Sequence, residues 1–316
     1  EANLQILFRV LKCVFLLNNQ EVLKELMSED NYLEVAGVFE YDPSFADVKP
    51  EFRSYLSDKQ RFKQVIPIND HEVLGLIHQT FRLQFFKDVV LARILDEESS
   101  ASFLLTIRLN HMAIVNALDN DPQVLEVMRT LLQSKLMLPA DRLQLLSFFK
   151  EFLTLAKTVT LRKGLQIYQP AVLNDFLHFL THVLQESNEE EKEKLLAIEL
   201  LTTLLQHDAA AIRSFLLADS GLLLTLIDLF VQEETPSALR WQIVTCLRLL
   251  LDNFANAGPA GSALASVMGS TLTNAPSPAL VNQALAAKSS EDFLNVFYPE
   301  HACRLLRPLI DLDKAV

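Results

Sequence analysis

Glycine is scarce in this chain, with seven residues in 316. β-Sandwiches and barrels need turn glycines at short intervals, and βαβ folds need Val/Ile-rich strand runs between their helices. Neither pattern occurs. Cysteine is equally sparse: Cys13, Cys246 and Cys303 stand far apart with no C-x-x-C spacing, which suits a reducing compartment and excludes a zinc or disulfide framework. Basic residues are outnumbered, 28 Lys and Arg against 40 Asp and Glu, for a net charge of −12. That balance argues against nucleic acid and against anionic membranes as partners. No uninterrupted apolar run reaches the roughly 18–20 residues of a membrane span; GLLLTLIDLFV at 221–231 is broken by Asp228. Catalytic signatures are missing as well: no G-x-x-x-x-G-K-[ST], G-x-G-x-x-G or G-x-S-x-G, and neither G-D-x-H-G nor G-N-H of the metallophosphatases. Neither an enzyme nor a cofactor is expected. The chain opens without an initiator Met in the amphipathic EANLQILFRVLKCVF, and reads as a piece of a longer protein.

Half of the residues are hydrophobic, dominated by Leu and Phe, so a large core is available. Apolar helical stretches run over about 3–17, 20–27, 70–95, 99–118, 122–134, 140–158, 170–186, 189–207, 209–231, 236–255 and 290–309. Start signals accompany them: Asn69 with Glu72, Ser187 with Glu190, Asp121 before Pro122, and Thr235 before Pro236. Short links predict antiparallel neighbours, and two helices with their links take about 40 residues, the size of a HEAT or armadillo unit. The expected fold is all-α, an armadillo/HEAT-like α-solenoid, with a globular bundle as the competing reading. Two segments break the rhythm. Residues 41–65 read as a structured connection, and 257–289, rich in Ala, Ser, Gly and Pro, as a mobile loop with a short helix near 278–287. The whole of 1–316 groups as one helical domain, a first part over 1–160 and further repeats over 161–316.

Few residues invite chemistry. His178 and His182 share a helical face at i,i+4, but no H-E-x-x-H glutamate or third ligand accompanies them, so they read as surface histidines. The acidic run NEEEKEK at 188–194 fits a solvated first helical turn, where negative charge complements the helix dipole. Trp241, the one tryptophan, reads as core. The segment IHQTFRLQFFKDVVL at 77–91 is different. Its apolar residues surround the helical wheel, yet His78, Gln79, Thr80, Arg82 and Gln84 are wedged among them. Each buried polar group costs about 1–3 kcal/mol if left unpaired.

That same region carries a resemblance. GVFEYDP, EFRSYL, FKQVIPI and IHQTFRLQFFKDVVL follow one another over 37–91. They are similar to blocks of the regulatory subunit 3 family of protein phosphatase 4, the SMEK and Falafel proteins: E-Y-D-P at Glu40–Pro43, F-K-x-V-I-P-I at Phe62–Ile68, and I-H-Q-T-[YF]-R-x-Q-[YF] at Ile77–Phe85. SFFKEF at 147–152, which holds Lys150 and Glu151, and EDFLNVFYPEHACRLLRPL at 291–309 resemble further family segments. The stretch after EYDP is less basic than the family's, and 160–290 matches in helical character alone.

The resemblance implies a non-catalytic regulatory subunit whose central armadillo-like domain is this chain. It implies the phosphatase 4 catalytic subunit and regulatory subunit 2 as partners, and recruitment of substrate proteins, chromosome-associated ones included, through short linear motifs. It further implies work in DNA-damage recovery and the cell cycle, in the nucleus, in the cytoplasm and at the centrosome. A transport or coat-type adaptor is the rival reading, since similar solenoids serve there. As a binding surface, 70–95 is expected to form one long helix. At about 100° per residue, His78, Arg82 and Phe85 fall on one face, with Asp88 or Lys87 a turn further. Gln79 and Thr80 would bond locally, and a loop carrying Tyr41 and Asp42 would lean over the stripe. The structural alternative pairs Arg82 with Asp42. Lys150 and Glu151 complete the candidate partner-binding residues.

Overall fold

The fold is described from a computed structural model covering residues 2–45, 49–58, 62, 64–134, 137–158, 165–186, 191–232, 234–252 and 278–307. Among the described residues every regular element is helical, so the chain is all-α. In order these are α1 (Ala2–Phe15), α2 (Gln20–Leu26), α3 (Tyr32–Phe39), α4 (Phe52–Ser57), α5 (His71–Phe85), a π-helical turn (Phe86–Val90), α6 (Glu97–Asn120), α7 (Pro122–Gln133), α8 (Pro139–Thr158), a 3₁₀ turn (Gln166–Tyr168), α9 (Pro170–Gln185), α10 (Glu191–Ala218), α11 (Gly221–Val231), α12 (Ser237–Leu251), α13 (Pro278–Glu300) and α14 (Ala302–Leu305).

Local signals place several boundaries. Asp121 accepts from the backbone N–H groups of Gln123 and Val124 and starts α7 as expected. The predicted break between 207 and 209 is a kink at Asp208 (φ −145°, ψ 81°), whose carboxylate accepts from Ala211 N and restarts the helix. Other caps differ. Asp70, not Asn69, caps α5 by accepting from Glu72 N at 2.8 Å; Asn69 instead donates to Gln123 Oε1. Pro236 occupies the cap position of α12, with no side-chain capping bond, so the helix begins a residue later than Thr235 and Pro236 suggest. The Ser187/Glu190 box lies outside the described residues, as does 257–277 of the expected loop. Its remainder, 278–289, begins α13, which runs unbroken to Glu300. The stretch 209–231 is divided at Asp219, whose side chain accepts from Gly221 N. Two short helices, α3 and α4, appear where periodicity was too brief to show them.

By packing, the chain forms two compact units: Glu1–Met128 with Thr154–Leu165, and Arg129–Leu153 with Gln166–Val316. In the first, the rings of Phe15, Phe39, Phe86 and Phe103 meet within 5.6–6.3 Å, bringing α1, α3, the π turn and α6 to one centre. Met27, Leu83 and Leu91 fill in around them, fully buried. The second unit stacks successive helices over Phe149 and Phe176, whose rings lie 4.5 Å apart, and over the buried leucines of α9, α10 and α11.

Trp241 is not core. The buried positions of α12 are Leu239, Ile243, Cys246, Leu247 and Leu250. Two residues from Leu239, Trp241 faces the far side of the wheel and is 71% exposed. Among the cysteines, burial pushes the Cys246 thiol up to about 11, so it packs as a small apolar group. Helices α6 and α10 are each long and apolar enough, by length and composition alone, to cross a bilayer. Both nonetheless bury polar groups in specific protein contacts. Asn110 of α6 donates to Gln79, and Glu193 of α10 lies 3.3 Å from Arg142.

Arg213 of α10 is 2% exposed and closes the end of α12. It donates to the carbonyls of Leu249, Leu250 and Asp252 at 2.9–3.2 Å, groups that a helix C-terminus otherwise leaves unpaired. Arg213→Ala therefore strands these carbonyls and is expected to cost roughly 2–4 kcal/mol in urea unfolding. Arg213→Lys should recover little, because a single ammonium cannot reproduce the planar fork. A loss under about 0.5 kcal/mol for Arg213→Ala would show that α12 ends without this clamp.

Candidate functional site

The π turn interrupts the helix expected over 70–95. Leu91 N bonds to Phe86 O, five residues back, at 2.7 Å, and the helical path ends at Val90. π-Bulges of this kind shift register and occur frequently at functional sites. Asp88 lies within this turn, its side chain 61% exposed and paired with its neighbour Lys87.

Arg82 turns inward. Its guanidinium donates to the Met27 carbonyl at 2.8 Å and to the Glu29 carboxylate, and lies 4.2 Å over the Tyr32 ring. It is 5% exposed, whereas Glu29 reaches solvent. The expected Arg82–Asp42 pair does not form. Asp42 lies in the loop after α3 and accepts from Ser44 N at 2.9 Å, closing its own turn. The other polar residues of the segment are also accounted for. Thr80 bonds locally to the Leu76 carbonyl. Gln79 does not: it donates to Lys24 O and accepts from Asn110, tying α5 to α2 and α6. Gln84 is exposed.

With Arg82 inside, Phe81 takes the middle of the outward row, so His78, Phe81 and Phe85 follow at i, i+3 and i+7. Tyr55 of α4 stacks on Phe85 with centroids 4.6 Å apart and planes 13° apart, and runs nearly parallel to Phe81. Phe62 meets Phe81 edge-on at 5.1 Å and His78 at 4.4 Å. This aromatic ledge is only partly covered, and Tyr55 is 37% exposed. The expected wall residue, Tyr41, lies instead beneath Lys49, whose ammonium is 3.8 Å from the ring centroid.

Glu40, buried at 7%, anchors the segment before the ledge: it accepts from Arg53 N at 2.9 Å and pairs with Arg53 and Lys49. Tyr55, Phe62, Phe81, Glu29 and Glu40 are thus residues of this site that sequence reasoning missed. All but Glu29 stand in the quoted blocks, but their meeting was not legible there. Lys150 and Glu151 belong to the second unit. Lys150 of α8 bonds to Glu199 of α10 at 2.8 Å across an exposed seam, and Glu151 is exposed. His178 and His182 each face their own carboxylate, Asp219 at 3.6 Å and Glu186 at 3.4 Å. No cluster of three or more His, Cys, Asp or Glu suited to a metal occurs among the described residues.

Two predictions separate structural from surface groups. Arg82→Ala should lower unfolding stability by about 3 kcal/mol, because the Met27 carbonyl loses its donor and the core loses a packed stem. Glu29→Gln should cost about 1 kcal/mol and Asp42→Asn less than about 0.5. Urea titrations that rank Asp42→Asn worst would restore the Asp42 pairing. Secondly, burial lowers the pKa of His78, against an opposing pull from Glu29. The unfolded chain takes this proton near pH 6.5 while the folded one resists it. Stability from this group is therefore whole above about pH 6.5 and falls as pH drops through the folded value. The ring-proton titration of His78 should have its midpoint below that of a free histidine, and His78→Gln should flatten the acid limb.

The family model described as Phosphatase 4 regulatory subunit 3 matches residues 1–315. Suppressor of Mek1 from Dictyostelium discoideum is 31% identical over 251 residues, 78% of this chain and 24% of that protein. The Serine/threonine-protein phosphatase 4 regulatory subunit 3 of Kluyveromyces lactis is 29% identical over 273 residues, 79% of this chain and 36% of its own length. The Drosophila melanogaster protein of the same name is 26% identical over 257 residues, 78% of this chain and 26% of its own length. The chain thus spans about a quarter to a little over a third of the length of these three relatives. No solved structure matches. With the family model covering nearly every residue, from the aromatic ledge to the last helices, the chain belongs to the phosphatase 4 regulatory subunit 3 family.

Proposed function

We propose that this chain is a non-catalytic helical scaffold within a phosphatase 4 complex, joined to the catalytic subunit and regulatory subunit 2, and that it recruits substrate proteins by binding short segments. The aromatic ledge carries this reading. Tyr55 comes from EFRSYL, Phe62 from FKQVIPI, and His78, Phe81 and Phe85 from IHQTFRLQFFKDVVL, so three separate blocks supply one partly open surface. Interface anchors are commonly aromatic side chains on a rigid base. Rigidity here comes from Arg82 and Glu40 behind the ledge. A short segment would set one apolar side chain against Tyr55 and Phe81 while His78 offers a polar edge. In cells such a scaffold would work in the nucleus and cytoplasm and at the centrosome, on chromosome-associated substrates among others, in DNA-damage recovery and the cell cycle.

The test reconstitutes the chain with the two phosphatase 4 subunits and screens peptide arrays tiled from proteins that the complex dephosphorylates. The chain alone should release no phosphate from phosphopeptides. Tyr55→Ala should weaken captured peptides roughly tenfold while leaving the melting temperature and subunit assembly unchanged. Failure to assemble, with vesicle-coat components captured instead, would favour the adaptor reading.

A further inference from the structure

Helix α6 has a second surface unrelated to the ledge. One side is core: Phe103, Thr106, Ile107, Asn110 and Ile114 are buried. The opposite side shows Leu104 at 53%, Leu105 at 47%, Leu109 at 42% and Met112 at 37% exposure, flanked by exposed Ala101 and Ala113. These residues follow the i, i+4, i+8 spacing of a helical stripe. A continuous apolar stripe in water is the usual mark of an interaction face.

One cation sits in its centre. Arg108 is exposed, on the same face, and makes no hydrogen bond, ion pair or ring contact with any described residue. The nearest acidic groups of α6 on that side of the wheel, Glu97 and the buried Asp119, are each eleven residues away and thus about 16 Å along the axis. We propose that this face docks an amphipathic helix of a partner protein, with leucine-like residues along its seam and a carboxylate opposite Arg108.

The charge selects among occupants. A second copy packed antiparallel over the same stripe would have its twofold axis at residue 108, midway between Leu104 and Met112, and would set one Arg108 against the other. Like charges facing one another oppose that arrangement. A bilayer would receive a helix that carries Asn110 on its other side, buried in the protein and bonded to Gln79. A carboxylate on a partner helix instead gives Arg108 the counter-ion it lacks and leaves the leucines to be desolvated. The proposal stands on α6 and does not depend on the phosphatase reading.

Three labelled helical peptides test it, alike in leucines at i, i+4 and i+7 and differing only in Glu, Gln or Lys at the central seam-flanking position. Fluorescence anisotropy should rank them Glu over Gln over Lys on the wild-type chain, with roughly tenfold between the extremes. Arg108→Glu, at an exposed position, should reverse the order with unchanged thermal melting. Leu105→Ser should weaken all three roughly tenfold or more. No saturable binding, or equal affinity for the Glu and Lys peptides, overturns the proposal. So does a dimer in sedimentation equilibrium that Leu105→Ser abolishes, which gives the face to a second copy. Binding to phosphatidylserine-containing vesicles, lost in the same variant, gives it to lipid and overturns the proposal as well.

Discussion

The first unit depends on one buried cation. Leu- and Phe-rich helices attract one another without direction, because apolar burial is proportional to area and indifferent to register. Arg82 supplies direction. Its guanidinium is held at the Met27 carbonyl, the Glu29 carboxylate and the Tyr32 ring, so it fixes α5 to the turn between α2 and α3. With Arg82 inward, rotation of α5 is settled, and His78, Phe81 and Phe85 can only face outward toward Tyr55 and Phe62. The ledge is the other side of the clamp.

The second unit repeats the device with different acceptors. Arg213 ends α12 through three backbone carbonyls. Arg142 of α8 reaches Glu186 at 2.7 Å and Glu193 at 3.3 Å, joining α8 to the end of α9 and the start of α10. Arginine suits these places because its five donors lie in a fixed plane and its charge persists when buried. Arg108 is the instructive contrast. It has the same side chain on an apolar stripe, but no acceptor among the described residues.

A regulatory subunit needs surfaces that stay open without aggregating. A net charge of −12 opposes nonspecific association. Tyr55 is tethered by stacking on Phe85, and the α6 stripe is interrupted by a charge. Both features limit promiscuous burial and favour partners that match them.

Helices and their limits were set largely by the sequence itself. Capping, the period of 3.6 and proline placement act within a turn or two, so Asp121–Pro122 and the Asp208 kink sit where local chemistry puts them. Even Trp241 was legible, since its two-residue offset from Leu239 already points it outward; treating a lone tryptophan as core ignored the phase. The short helices α3 and α4 were not legible, because six to eight residues are too few to establish a period. Nor was the choice of Glu29 over Asp42 for Arg82, or of Tyr55 and Phe62 over Tyr41 for the ledge. Those choices belong to tertiary structure. A long side chain takes the acceptor that folding brings within about 3 Å of it, and the Met27 carbonyl stands 55 residues from Arg82 along the chain.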